Sequence, residues 1–246
     1  MFHDVSFKYP GAGEYAIKNL NLKLYTGKSL AIVGMNGSGK TTMIKLLCRL
    51  YDPTDGKITL NGIDIREYDY NEYMALFSVV FQDFQLFSFS LGQNIAASAE
   101  YDSKQVEQCL ISAGFDNRLS VMPNGLETPI YKDFAEDGVE ISGGEAQKIA
   151  LARALYKDAP FIFLDEPTAA LDPIAEFDLY SRFNEIAGEK TVIYISHRLS
   201  SCRFCNDIAV FDGGKLIQYG SHDVLVDNRE GRYYELWNAQ AQYYEF

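Results

Sequence analysis

The chain has 246 residues and 47% hydrophobic content, enough to bury the core of one large α/β domain. Its 34 acidic residues against 22 basic ones give a net charge of −12, which opposes general binding to a nucleic-acid backbone. No apolar run reaches the ~20 residues needed to cross a bilayer, so any membrane role is expected to come through a partner.

The four cysteines lie far apart except for Cys202 and Cys205. A Cys-x-x-Cys pair occurs in redox and zinc sites, but here no second pair accompanies it. Since the flanking sequence reads as helical, plain packing is the favoured interpretation. No signal peptide precedes the cysteines, and the simplest expectation is a reducing, cytosolic setting.

The N-terminal residues 2–9 alternate between apolar and polar, which predicts a half-buried strand. Tyr9 ends this strand, directly before Pro10 and a Gly-Ala-Gly turn. Its ring is placed either to stack on a nucleobase or to pack against the core at the strand end. Position alone leaves both interpretations open.

Residues 34–42 lie between the apolar run 30–33 and the helix-compatible run 43–47, where a buried strand turns into a helix. Glycines at this turn let backbone N–H groups surround an anion, and the following helix adds the positive end of its dipole. A lysine at this spacing reaches the β- and γ-phosphates, and the next hydroxyl binds Mg²⁺. The segment predicts a phosphate loop built from Gly34, Asn36, Gly37, Ser38, Gly39, Lys40, Thr41 and Thr42.

The segment after this loop is mostly scaffold. Asn61 and Gly62 suit the type I′ turn of a hairpin over residues 57–65. The short strand 78–81 ends in Gln82, and the aromatic stretch 84–89 that follows is too apolar for a solvated loop, so it either packs inside or forms a docking surface. Residues from about 94 to 120 show helical spacing and predict a small helical insertion.

A second candidate anion site begins at Ser142. Ser142, Gly143, Gly144 and Glu145 precede an amphipathic helix over residues 146–155. An ordinary helix N-cap with a flexible lead-in has the same pattern, so the pattern by itself leaves both interpretations open.

Two further apolar strands carry polar groups at their carboxyl ends. Residues 160–164 lead into Asp165 and Glu166, and residues 191–195 lead into Ser196 and His197. Open α/β sheets bind ligands at this edge. In a phosphate-loop protein, Asp165 can hold the Mg²⁺ shell and Glu166 can polarise the attacking water. His197 is a further functional candidate, because it ends a strand at the same edge.

Taken together, these stretches resemble the nucleotide-binding domain of an ABC transporter over essentially the whole chain. The signature departs from the commonest form at Ile141 and Glu145, where Leu and Gln are usual. Residues 123–128, 136–138 and 220–223 look like the exporter version of the family. The matching features are Tyr9 for the adenine-stacking aromatic, 34–42 for Walker A, Gln82 for the Q-loop, 142–145 for the signature, 161–166 for Walker B, 170–172 with Asp172 for the D-loop and His197 for the switch histidine.

The resemblance implies an α/β fold: a P-loop NTPase core with a mostly parallel sheet, an N-terminal antiparallel β-subdomain and an α-helical signature subdomain. The ATP core would cover about residues 1–83 and 160–246, and the helical subdomain about 84–159, all within one domain, 1–246. It further implies binding and hydrolysis of ATP with Mg²⁺ in a head-to-tail homodimer or heterodimer. The implied catalytic residues are Glu166, His197 and Lys40, and the implied Mg²⁺ ligands are Thr41, Gln82 and Asp165. The implied nucleotide contacts outside Walker A are Tyr9, Gln82, Ser142, Gly143, Gly144, Glu145 and Asp172.

In exporters of this type, a transmembrane domain usually precedes the ATPase domain on the same polypeptide. A strand beginning just after Met1 fits an excised domain, expected at the cytoplasmic face of the membrane. One alternative is a soluble ABC-type ATPase acting on ribosomes or DNA, but the short segment between Lys40 and Ser142 leaves no room for its long coiled coil. The other is a catalytically inactive binding module, which Lys40, Glu166 and His197 argue against.

Overall fold

The computed structural model describes residues 1–166, 188, 190–196 and 198–241. Its strands form a four-stranded antiparallel sheet, in the order β2-β1-β4-β5, and a six-stranded sheet, in the order β10-β9-β3-β8-β7-β6. The strands are β1 Phe2–Phe7, β2 Ile17–Leu22, β3 Ser29–Gly34, β4 Asp55–Leu60, β5 Ile63–Asp64, β6 Phe77–Val80, β7 Phe161–Asp165, β8 Thr191–Ile195, β9 Asp207–Asp212 and β10 Lys215–Gly220.

In the six-stranded sheet, the strands from β9 to β6 pair in parallel, and only β10 is antiparallel, to β9. Strands buried on both faces need continuous apolar sequence, and β7 and β8 have it. Because the parallel strands share one direction, the segments that follow β3, β6, β7 and β8 meet at a single edge. That edge carries the predicted phosphate loop, Gln82 and the two acids after β7.

The helices are α1 Lys40–Leu47, α2 Tyr70–Ala75, α3 Leu91–Ala96, α4 Ser103–Ser112, α5 Asp116–Leu119, α6 Gly143–Tyr156, α7 His222–Asp227 and α8 Arg232–Ala241, with short 3₁₀ turns at Ile65–Glu67, Gly125–Glu127 and Leu199–Phe204. None of these helices is long and apolar enough to span a bilayer. Helices α3 to α6 lie in sequence between β6 and β7, where the helical insertion was predicted.

The core consists of two hydrophobic clusters on the two faces of the six-stranded sheet. Alternate residues of β3 divide between them, with Ala31 and Val33 on one face and Leu30 and Ile32 on the other, as the two-residue period of a strand requires. Helices α3 to α6 cover the first face, and the cluster between them and the sheet is called the helix-side cluster. The antiparallel sheet and α1 cover the second. The predicted α/β fold class is therefore confirmed.

Local predictions hold with small shifts. Asn61 and Gly62 both have positive φ, 51° and 86°, as a type I′ turn requires. The helical insertion begins at Leu91, earlier than the predicted residue 94, because Ser90 and Gln93 form a capping box. Cys202 and Cys205 are buried in the helix-side cluster, in keeping with a packing role.

The aromatic stretch 84–89 divides into two parts. Phe84 and Leu86 are partly buried against the helix-side cluster, which favours the packing alternative for these two residues. Phe87 and Phe89 are 58% and 55% exposed. They flank a surface cleft of about 370 Å³.

Candidate active site

A cleft of about 450 Å³ lies at the carboxyl edge of the parallel sheet. The phosphate loop forms its floor, and residues from three other segments form its walls. The cleft thus gathers most of the site residues predicted along the chain. Its lining residues are Tyr9, Ala16, Asn36, Gly37, Ser38, Gly39, Lys40, Thr41, Thr42, Gln82 and Glu166.

Two glycines give the phosphate loop its shape. At Gly34, where φ is 148°, a Cβ atom would lie 2.1 Å from the carbonyl oxygen of Phe211. At Gly39, where φ is 103°, it would lie 2.7 Å from the carbonyl oxygen of Ala16. Both positions therefore exclude any larger residue on steric grounds. The loop is held tightly against β9 and the start of β2.

The Lys40 side chain is buried beneath the loop. Its Nζ donates hydrogen bonds to the carbonyl oxygens of Gly34, at 2.9 Å, and Met35, at 3.1 Å. Burial lowers the pKa of Lys40, and the carboxylates of Glu166 and Asp165 act in the opposite direction. Nearby, the Ser38 hydroxyl is buried without a hydrogen-bond partner in the described part of the chain. An oxyanion in the loop would give the Ser38 hydroxyl a hydrogen-bond partner and would give the Lys40 ammonium a further, charged acceptor.

Thr41 and Asp165 bring two hard oxygen ligands together. Thr41 is the second residue of α1, and Asp165 is the last residue of β7. The Thr41 hydroxyl donates a hydrogen bond to Asp165 Oδ2 at 2.7 Å. A hydroxyl and a carboxylate beside phosphate oxygens form the usual partial ligand set of Mg²⁺, which retains several waters. The donor set therefore fits magnesium.

Glu166 follows Asp165 with a left-handed backbone, φ 51°, an uncommon conformation for a residue other than glycine. Its N–H donates to the carbonyl of Ile195 at the end of β8, which fixes this turn to the neighbouring strand. Its Oε2 accepts a 3.1 Å hydrogen bond from the Gln82 amide. Gln82, two residues after β6, and Glu166, the residue after β7, therefore meet across the cleft.

Tyr9 both packs and lines the cleft. Its ring lies edge-on to Phe7 and Tyr51, with centroid distances of 4.9 and 5.2 Å. Its hydroxyl is 3.1 Å from the Thr42 hydroxyl. The two interpretations left open by the sequence are compatible, because the packing contacts hold the ring at the wall of the cleft.

The segment 142–145 forms the N-terminus of α6. Ser142 is the N-cap, and its hydroxyl accepts from the Glu145 N–H while the Glu145 carboxylate accepts from the Ser142 N–H, a complete capping box. Ser142 and Gly143 are exposed. None of the four residues is among those that line the cleft.

The sequence matches the family model described as ABC transporter over residues 17–169. The chain belongs to the ABC transporter family. The chain is thus an exporter-type ATP-binding domain, the part of ABC exporters that hydrolyses ATP.

Known relatives agree with this assignment. The chain is 38% identical over 239 residues to the ATP-dependent lipid A-core flippase of Vibrio vulnificus strain CMCP6, and 37% identical over 241 residues to that of Escherichia coli strain K12. These matches cover 96% and 97% of this chain but 40% of each flippase. A solved bacterial Atm1-family ABC exporter with ATP bound superposes with a TM-score of 0.90 at 35% identity, over 98% of this chain and 41% of the exporter chain. A ribosome- or DNA-directed ATPase is not favoured by these relatives.

Two predicted site residues, Asp172 and His197, lie outside the described residues. One lining residue, Ala16, was missed by the sequence analysis. An alanine between a turn and a strand carries no chemical group that marks a site, and only its position against Gly39 gives it a role.

Proposed function

We propose that this ATPase domain binds Mg-ATP in the 450 Å³ cleft and that its hydrolysis powers a membrane exporter. The observation that carries the proposal is the cluster of Lys40, Thr41 and Asp165 at one end of the phosphate loop. Lys40 would exchange its two carbonyl partners for β- and γ-phosphate oxygens. Thr41, Asp165 and Gln82 would hold Mg²⁺, which supplies neutralisation of the phosphate charge.

Glu166 is proposed to orient the attacking water. Its carboxylate borders the cleft and already accepts one hydrogen bond from Gln82. A carboxylate so placed takes up the proton of a water aligned on the γ-phosphate. His197 is proposed to contact the γ-phosphate, and Tyr9 to stack on the adenine.

The site is proposed to be completed by a second domain. Ser142 is the N-cap of the 14-residue helix α6, and Gly143 and Gly144 are its first two residues, yet none of the three lines the cleft of its own chain. In a head-to-tail dimer, the signature of each chain would close over the ATP of the other. Glu145 and the D-loop Asp172 would lie at the same interface.

A transmembrane domain is the other proposed partner. The chain spans 40% of the length of the flippases it matches, which leaves room for a membrane part on the same polypeptide. The exposed rings of Phe87 and Phe89 are proposed to meet its cytoplasmic segments. This arrangement would place the domain at the cytoplasmic face of the membrane.

Replacement of Lys40 tests nucleotide binding. Lys40→Ala should raise the dissociation constant for Mg-ATP about tenfold or more, because charge-assisted hydrogen bonds to phosphate are lost. Titration calorimetry of this chain measures the change. Lys45→Ala, which removes a lysine from the same helix α1, is the matched control and should bind ATP as the unmodified chain does. Equal affinity in all three proteins would contradict the proposed site.

A further inference from the structure

The signature of this chain carries an acid, Glu145, at the third position of α6. A carboxylate in the first turn of a helix interacts favourably with the helix dipole. The proposed role of the same helix end is to receive the phosphates of a second chain's ATP, and a carboxylate repels phosphate. The charge of Glu145 therefore has to be offset for the signature to accept that ligand.

Both carboxylate oxygens of Glu145 are engaged within the chain. Oε2 accepts a hydrogen bond from the Ser142 N–H at 2.8 Å, and Oε1 lies 2.9 Å from Nε of Arg118, an ion pair that lacks hydrogen-bond geometry. The pair is partly buried, with side-chain exposures of 34% for Arg118 and 25% for Glu145. The carboxylate is thus turned back on its own helix end and faces a cation.

Arg118 holds the signature segment at both ends. Besides Glu145, its Nη2 approaches the carbonyl oxygen of Glu140 at 3.4 Å. One turn further along α6, Lys148 donates to the carbonyl of Gly114 at 2.8 Å. The segment 114–118 is in turn anchored by Phe115, which is buried in the core. The segment that carries Arg118 is therefore attached to both α6 and the core.

We propose that Arg118 is a positioning residue that makes an acid-containing signature compatible with ATP-driven dimerisation. It offsets the charge of Glu145 and keeps the carboxylate directed away from the incoming phosphates. This inference rests on the proposed head-to-tail dimer. It gives Arg118, a residue outside every recognised motif of the chain, a role in closing the site of the partner.

The test compares ATP-driven dimerisation among charge variants in the non-hydrolysing Glu166→Gln chain. Arg118→Ala should raise the ATP concentration for half-maximal dimerisation about three- to tenfold, since it leaves one uncompensated negative charge at the helix end. Adding Glu145→Gln to Arg118→Ala should restore the parent value, because the site is again neutral. Arg118→Lys should stay near the parent. The readout is sedimentation velocity across an ATP titration.

Two controls separate charge from structure. Arg66→Ala breaks an exposed ion pair with Asp64 in the β-subdomain and lowers the net charge equally, so it should not change dimerisation. Raising the salt concentration should bring the ATP concentration for half-maximal dimerisation of Arg118→Ala closer to that of its parent, because exposed charges are screened. The affinity of monomeric Arg118→Ala for ATP should be unchanged.

Three outcomes would overturn the proposal. If Arg118→Ala dimerises like its parent, the residue has no such role. If Glu145→Gln fails to rescue Arg118→Ala and salt has no effect, Arg118 acts as a structural brace only. If the parent itself stays monomeric in saturating ATP, the head-to-tail dimer is wrong and the role of Arg118 falls with it.

Discussion

Glu166 occupies a backbone conformation that is unusual for its residue type. A non-glycine residue in the left-handed region costs about 1 kcal/mol or more. Here the hydrogen bond from its N–H to Ile195 holds the turn in place. The consequence is that the carboxylate leaves the buried strand β7 and reaches the cleft, whereas Asp165, one residue earlier, stays buried beside Thr41. The two adjacent acids therefore lie in different surroundings, Asp165 buried and Glu166 at the cleft.

Glu166→Gln should keep Mg-ATP binding and lose hydrolysis, by about 10²- to 10⁴-fold in rate. The amide retains the shape and a hydrogen-bonding oxygen but no longer takes a proton from water. Phosphate release and calorimetry, measured on the same preparation, check the two halves of the prediction. Glu72→Gln on α2 is the matched control, because it makes the same chemical change away from the cleft. Unchanged hydrolysis in Glu166→Gln would remove this residue from the proposed mechanism.

At the scale of elements, the stretch that begins after Gln82 is tied to two helices by polar contacts. The Asn94 side chain of α3 accepts from the Phe87 N–H and donates to the Phe87 carbonyl, both at 2.8 Å. Arg153 of α6 donates to the carbonyls of Asn94, at 2.7 Å, and Gln85, at 3.3 Å. The backbone of this stretch is therefore fixed, while the ring of Phe87 is left exposed.

Phe87→Ala should cost this domain less than about 1 kcal/mol of unfolding free energy, because an exposed ring buries little surface. Phe115→Ala, at a buried position, is the matched control and should cost about 3–5 kcal/mol. Denaturant unfolding measures both. Basal ATPase of Phe87→Ala should be retained, whereas the full-length protein should lose coupling between hydrolysis and transport.

A different result would identify Phe87 as a core residue. In that case Phe87→Ala would lower the free energy of unfolding by about as much as Phe115→Ala does, and basal ATPase activity would decline in parallel. If the full-length Phe87→Ala protein transports the normal amount of substrate per ATP hydrolysed, docking of Phe87 on the membrane domain is contradicted.

At the scale of the whole molecule, each chain carries a net charge of −12, so two copies repel one another at long range. In the proposed head-to-tail dimer, contacts to bound ATP would offset this repulsion. The Glu166→Gln chain should therefore sediment as a dimer with Mg-ATP and as a monomer with ADP. Glu166→Gln combined with Lys40→Ala should stay monomeric with either nucleotide. A strict monomer at saturating ATP, at both low and moderate salt, would contradict the head-to-tail arrangement.

The sequence predicted the fold class and most of the cleft because their determinants are local. Continuous apolar runs predicted the parallel strands, and the carboxyl-edge rule then brought Lys40, Gln82 and Glu166 to one place. Contacts between distant segments leave no such pattern. The apposition of Ala16 and Gly39, the ion pair of Arg118 with Glu145 and the burial of Phe84 beside exposed Phe87 all depend on tertiary packing that periodicity does not encode.

The two carbonyl partners of Lys40 also bear on how quickly the cleft can be emptied and refilled. When phosphate leaves, a buried ammonium without other acceptors would lose its hydrogen bonds. The free-energy cost of that unpaired charge would slow product release. The carbonyl oxygens of Gly34 and Met35 give the Lys40 ammonium two hydrogen-bond acceptors in place of the phosphate oxygens. In the proposed cycle, these two carbonyls would therefore lower the barrier to the exchange of spent nucleotide for fresh nucleotide.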